Sequence, residues 1–132
     1  MNILHLFSNH KLTGPAEPVV RLAAALAERG HEVMLAHSPP PRQRSGDIDS
    51  AAERYGVDTI TAFRLPKHFR PASIWRDARA LARCIDHRAF DIVHCHLIND
   101  HLTGALAARR SRSRPRIVRT NHDAVPLARR LR

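Results

Sequence analysis

The 132-residue chain is poor in the features that would set it apart from ordinary globular proteins. It has two cysteines, Cys84 and Cys95, without C-x-x-C spacing. They are too few for a disulfide scaffold, so reduced thiols in a cytosolic protein are expected. Cys95 lies in an apolar run and reads as a small core residue. Apolar runs are short, as at residues 33–36, against the roughly 20 residues that a spanning helix needs; no transmembrane segment is expected. The opening Met1-Asn2-Ile3-Leu4-His5-Leu6-Phe7 has no basic leader, no long apolar region and no small-residue cleavage site, so a signal peptide is not expected either. Aromatic residues make up only 5%, and no helix-turn-helix, zinc-finger or RNP-like pattern appears, which argues against a nucleic-acid partner. The only low-complexity stretch is Ser111-Arg112-Ser113-Arg114, a solvated loop by composition. Lysine is almost missing too, with Lys11 and Lys67 alone.

Arginine is abundant. Twenty-two Lys and Arg against twelve Asp and Glu give a formal charge of +10, which favours anionic partners. The arginine bias fits genomic composition as well as it fits bidentate anion recognition. At 43% hydrophobic and 26% charged residues, the chain matches soluble globular proteins of one domain.

Residues 2–7 read as a buried strand ended by the turn chemistry of Ser8-Asn9-His10. From Ala16, residues Val19, Leu22, Ala23 and Leu26 recur at helical spacing, with Pro15 fitting the first helical position and Gly30 the stop. Residues 33–36 form a continuously apolar strand, covered on both faces. Ser38-Pro39-Pro40-Pro41 and residues 42–46 read as an exposed connection. A short helix over 47–55, a strand at 58–62, an irregular segment at 63–71 and a helix over 72–87 follow. A strand at 91–96, a small-residue helix at 100–110 and a strand at 116–120 complete the pattern. Five strands and four helices in strict alternation predict an α/β, Rossmann-like doubly wound parallel sheet with helices on both faces.

Such sheets place their sites at the carboxyl ends of strands, here Ser8–Pro15, His37, His94–Asp100 and Thr120–Asp123. Lys11-Leu12-Thr13-Gly14-Pro15-Ala16 joins strand to helix where free N–H groups attract anions, although it is neither G-x-G-x-x-G nor a P-loop. His94 and His96 share one side of their strand; with His101 and His122 they predict a histidine-lined cleft. HxH lacks the fixed spacing of structural zinc sites and of HExxH enzymes, so no metal site is assigned. His5, His31, His68 and His87 read as packing or capping residues, and Asn99 or Asp100 as the N-cap of the next helix. Arg76, Arg79 and Arg83 share a helix face, Arg64, Lys67 and Arg70 precede it, and six arginines lie between Arg109 and Arg119. Such a surface is ordinarily solvated; it also suits an anionic membrane surface or acidic substrates.

Three segments, MNILHLFSNHKLTGPAEPVVRLAAALAERGHEVMLAH, DIVHCHLINDHLTGALAAR and PRIVRTNHD, together resemble the N-terminal domain of family 4 glycosyltransferases of the GT-B fold. These are retaining enzymes that move sugar from a nucleotide-sugar donor to an acceptor. The resemblance covers residues 1–37 and 91–123, and matches 38–90 in layout only. It implies that Gly14 belongs to the loop facing donor phosphates or acceptor, with Pro15 where many members have a second glycine. It implies that His96, Asn99 and Asp100 form the acceptor-side wall, and that His122 approaches the transferred sugar. It further implies a sugar or lipid-linked acceptor and no cofactor besides the nucleotide-sugar substrate; from the cysteine usage and the basic surface, a cytoplasmic setting, peripheral to the membrane's inner face, is expected.

Family members carry a second domain with a donor-binding E-x7-E segment, which has no counterpart here. The chain therefore reads as a single, incomplete GT-B N-terminal domain, 1–132, inactive alone and in need of the donor-binding domain or a partner chain. The alternative is a freestanding, non-catalytic α/β module that binds anions or a protein through its basic surface.

Overall fold

The computed structural model describes residues 1–41 and 47–122. Asp123, the terminal Arg129-Arg130-Leu131-Arg132 and the exposed connection expected at 42–46 lie outside the described residues. The elements run β1 (Asn2–Phe7), α1 (Ala16–Glu28), β2 (Glu32–His37), α2 (Asp47–Tyr55), β3 (Asp58–Ile60), α3 (Pro71–Arg88), β4 (Ile92–Cys95), α4 (Ile98–Arg110) and β5 (Arg116–Arg119). All strand pairs are parallel, in the order β3-β2-β1-β4-β5. The fold is the Rossmann-like α/β sheet that the alternation of elements predicts.

Alternation along β1 divides the core. Leu4 and Leu6 face α3 and α4, packing with Ala78, Leu81, Ile85, Val93 and Cys95; Phe7 faces α1 and α2, packing with Val19, Ala23, Leu35 and Ile48. Each large aliphatic side chain taken fully out of water contributes about 1.5–3 kcal/mol, so these two layers supply most of the folding drive. Cys84 and Cys95 are free thiols, and burial pushes Cys95 up to about 12, keeping it protonated.

Helix boundaries follow local chemistry with small corrections. Pro15 is the residue before α1 rather than its first helical residue, because its carbonyl already accepts from Val19 N–H. Gly30 ends the turn at φ +90°, a conformation that costs side-chain-bearing residues about 1–2 kcal/mol. Neither Asn99 nor Asp100 is the N-cap of α4; Leu97 holds that place, and Asp100 reaches back to accept from its N–H at 2.8 Å. Gly104 lets α4 settle on the sheet: a β-carbon there would stand 2.7 Å from Cys95 Sγ and 3.3 Å from Leu6 Cδ1.

The segment between β3 and α3 is irregular, as expected, yet firmly tied. Phe63 and Leu65 enter the core, and buried Asp77 on α3 accepts from the Arg64 and Leu65 N–H groups at 3.0 and 2.8 Å. These bonds bring residues 66–69 over the carboxyl end of the sheet.

Candidate functional site

The order of strands reverses between β1 and β4, since β1 is followed outward by β2 and β4 by β5. A crevice opens at the carboxyl edge of such a switch point because the two connections leave in opposite directions. Here it is a cleft of about 440 Å³, lined among others by Ser8, Lys67, His96, Asn99, Thr120 and His122.

Four histidines run from the sheet interior to this cleft. His5 is wholly buried, and its Nδ1 lies 2.9 Å from His96 Nε2. His96 Nδ1 lies 3.3 Å from Nε2 of the exposed His122. His94 Nε2 lies 2.7 Å from Thr120 Oγ1. The rings of His94 and His96 stack with centroids 4.3 Å apart, and those of His5 and His96 at 5.2 Å. Burial, with a smaller push from His94, depresses His5 to about 3. Burial depresses His96 to about 2, helped by His94, His5 and His122, and lowers His94 as well. At neutral pH the three inner imidazoles are therefore uncharged, each able to donate from one nitrogen and accept at the other.

The wall is held by side-chain hydrogen bonds. Asn99 Nδ2 donates to the carbonyl oxygens of Pro66 and Lys67 at 3.0 and 2.9 Å, fastening the 66–69 segment to α4. Asp100 is fully buried, does not line the cleft, and accepts from the Ser8 hydroxyl as well as from Leu97 N–H. Burial pushes its carboxyl up to about 7, against the lowering effect of those hydrogen bonds.

The cleft gathers His96, Asn99 and His122, leaving Gly14 outside its lining, although the adjoining Pro15 takes part. Gly14 is exposed, and a β-carbon on it would meet nothing within 4 Å, so no close backbone approach fixes glycine there. His101, expected in the histidine cluster, stays apart from it within α4, its Nδ1 buried and unpartnered. His37 is also buried, between the Ser38 carbonyl and Asp49 at 2.8 Å each. His68, read as packing or capping, is exposed and lines the cleft. His31 sits 3.3 Å from the terminal amine, and His87 occupies the last turn of α3. Ser8 lines the cleft, as its place after β1 leads one to expect, whereas His68 and Phe69 are cleft residues that sequence spacing did not single out. His5, read as a packing or capping residue, is fully buried, and with His94 and His96 it sets three ring nitrogens within 4.8 Å of one another.

A second depression, of about 420 Å³, lies between α3 and α4 and is lined by Arg79, Arg83, Asp86, Arg110 and Arg112. Asp86 is occupied with Ser111 Oγ and the N–H groups of Arg112 and Ser113. The Arg110 guanidinium lies 4.4 Å from the centre of the half-exposed Trp75 ring.

Residues 14–132 match Glycosyltransferase Family 4. The chain belongs to that family. Among solved structures, this family 4 chain is similar to a glycosyltransferase from Rickettsia africae ESF-5, with 18% identity and a TM-score of 0.73 over 97% of this chain and 31% of that one. It is similar to Acinetobacter baumannii MurG, with 15% identity and a TM-score of 0.62 over 82% of this chain and 31% of that one. MnaA of S. aureus, in a structure with UDP, shares 16% identity and a TM-score of 0.55 over 89% of this chain and 28% of that one. At these identities the likeness is one of fold. The family 4 chain spans under a third of the length of each of these proteins. Among curated proteins no sequence matches it significantly.

Proposed function

We propose that this chain is the acceptor-side part of a retaining glycosyltransferase, in which sugar passes from a nucleotide-sugar donor to an acceptor held in the β1/β4 cleft. The observation that carries this reading is the line from His5 through His96 to His122 ending at the cleft of a family 4 domain. His96 occupies one nitrogen of His122, leaving the other for a sugar hydroxyl. His96 and Asn99 supply polar groups to the wall, and Asp100 acts beneath it by fixing Ser8 and the start of α4. Gly14 and the anion-attracting turn at 11–16 stand next to Pro15 at the cleft margin, where they face the acceptor or the donor phosphates. Donor binding falls to a further domain or a partner chain, so the isolated chain is inactive.

Nucleotide release from a panel of nucleotide sugars tests this. The isolated chain releases none above background. Joined to a family 4 donor-binding domain it gains transfer, and His122→Ala lowers kcat there while leaving the melting temperature in place. Robust turnover by the isolated chain sinks the reading.

No helix among the described residues is long and apolar enough to cross a membrane. The exposed face of α3, with Arg76, Arg79, Arg83 and Trp75, suits contact with anionic headgroups that would present a lipid-linked acceptor. Binding to anionic vesicles that weakens with salt, and with Arg76, Arg79 and Arg83 changed to Gln, supports that placement; equal binding to neutral vesicles rejects it.

A further inference from the structure

We propose that His5, His94 and His96 form a binding site for one divalent transition-metal ion of the zinc type. His5 and His94 are register partners on adjacent parallel strands, so their side chains leave the sheet on the same side, and His96 follows two residues along. Each of the three offers a ring nitrogen within 4.8 Å of the other two. A tetrahedral zinc with bonds of about 2.0–2.1 Å holds its nitrogens roughly 3.3 Å apart, so the cluster closes on an ion by turning stacked rings edge-on. His94 is only partly buried, whereas His5 and His96 are buried, so His94 is the outermost of the three rings.

Three further observations point to a ligand rather than to packing alone. His5 Nε2 is buried with no hydrogen-bond partner among the described residues, an uncommon state for a polar atom so enclosed. The donor set is all imidazole, with no carboxylate among the three, which favours zinc, nickel, cobalt or copper over calcium and magnesium. Metal-bound histidines ordinarily hold their second nitrogen in a hydrogen bond, and Thr120 serves His94 in this way at 2.7 Å, as His122 serves His96 at 3.3 Å. The inference does not rest on sugar transfer.

The test uses the full chain, purified without a histidine tag, stripped with EDTA and titrated with ZnCl2 and with CoCl2. About one equivalent should bind with a Kd below about 1 μM, raise the melting temperature and, for cobalt, give the visible absorption of a four-coordinate ion. His94→Gln, a change at a half-exposed position, should weaken zinc about 100-fold; Thr120→Val, which removes only the orienting bond, should weaken it roughly tenfold or more. The His31→Gln, His87→Gln double variant should bind as the parent does. Failure of the parent chain to take up a stoichiometric ion overturns the proposal. So does uptake that survives both His94→Gln and Thr120→Val in folded protein, or uptake that is lost with His31 and His87.

Discussion

His5 on β1 and His94 on β4 are register partners across the two strands at which the sheet order reverses, and their ring centroids lie 4.9 Å apart. An apolar pair at those positions would pack without any proton dependence. Histidines there tie the stability of the sheet to pH.

The sign follows from proton counting. His5, His94 and His96 are all lowered from 6.5 in the folded chain, to about 3 for His5 and about 2 for His96. Below about pH 6.5 the unfolded chain therefore takes up protons that the folded chain refuses, and stability falls as pH falls. Asp100, raised from 3.8 to about 7, acts in the opposite direction over pH 7 to 4, because there the folded chain holds the extra proton. Three imidazoles outweigh one carboxyl, with about 1.4 kcal/mol per pH unit for each net proton. The urea midpoint should drop clearly between pH 7 and pH 5, and His94→Gln should flatten that drop. A midpoint independent of pH contradicts the buried neutral cluster.

His122 and His96 should separate by stability. His122 is exposed, so His122→Ala should stay within about 0.5 kcal/mol of the parent. His96 is 3% exposed and bonded to His5, so His96→Ala should cost roughly 1–3 kcal/mol by leaving buried His5 Nδ1 unpaired. Urea unfolding at pH 7.5 measures both, and a His122→Ala loss as large as that of His96→Ala would make His122 structural.

Asn99 should govern the cleft wall. Its amide is the tie from α4 to the Pro66 and Lys67 carbonyls, so Asn99→Ala should cost about 1 kcal/mol and open the segment to trypsin at Arg64 and Lys67. Limited proteolysis resolved by mass spectrometry reports the cut sites. Unchanged cleavage there would show that the Asp77 and Ser38 bonds secure the segment without Asn99.

Gly104 and Cys95 should couple. Gly104→Ala gains up to about 1 kcal/mol of helix propensity but pushes a methyl against Cys95 Sγ, an overpacking cost of roughly 1–3 kcal/mol. A net loss is expected, and Cys95→Ala in the same chain should recover part of it. Additive losses in the double-mutant cycle would place the strain elsewhere.

The sheet was legible because buried parallel strands are short apolar runs, and residues 2–7 and 33–36 announce themselves as such without partners being known. Strand limits moved by one or two residues, as where the strand expected at 58–62 ends at Ile60, since chain alternation cannot report where a neighbour's hydrogen bonds stop. The site was half legible. His94 and His96 stand two apart on one strand and show their shared face by period alone, whereas His5 sits among apolar neighbours 89 residues before His94, where only the sheet register joins them. His101 failed as a cleft residue because its place on α4 turns on packing, which helical spacing does not reveal. Asn99 and Asp100 read as caps from composition; Asp100 does make a local capping bond to Leu97 N–H, but the Asn99 bonds to residues 66–67 and the Asp100 bond to Ser8 span long stretches of sequence.

The acceptor-side reading is tested most directly by saturation-transfer NMR of the isolated chain against two panels, free oligosaccharides and nucleotide sugars, with His122→Ala as the control. The account predicts saturable, His122-dependent signals from an oligosaccharide that competes for the β1/β4 cleft, and neither His122-dependent binding nor hydrolysis of any nucleotide sugar. Tight nucleotide-sugar binding with turnover, and oligosaccharide signals absent or indifferent to His122→Ala, would contradict it.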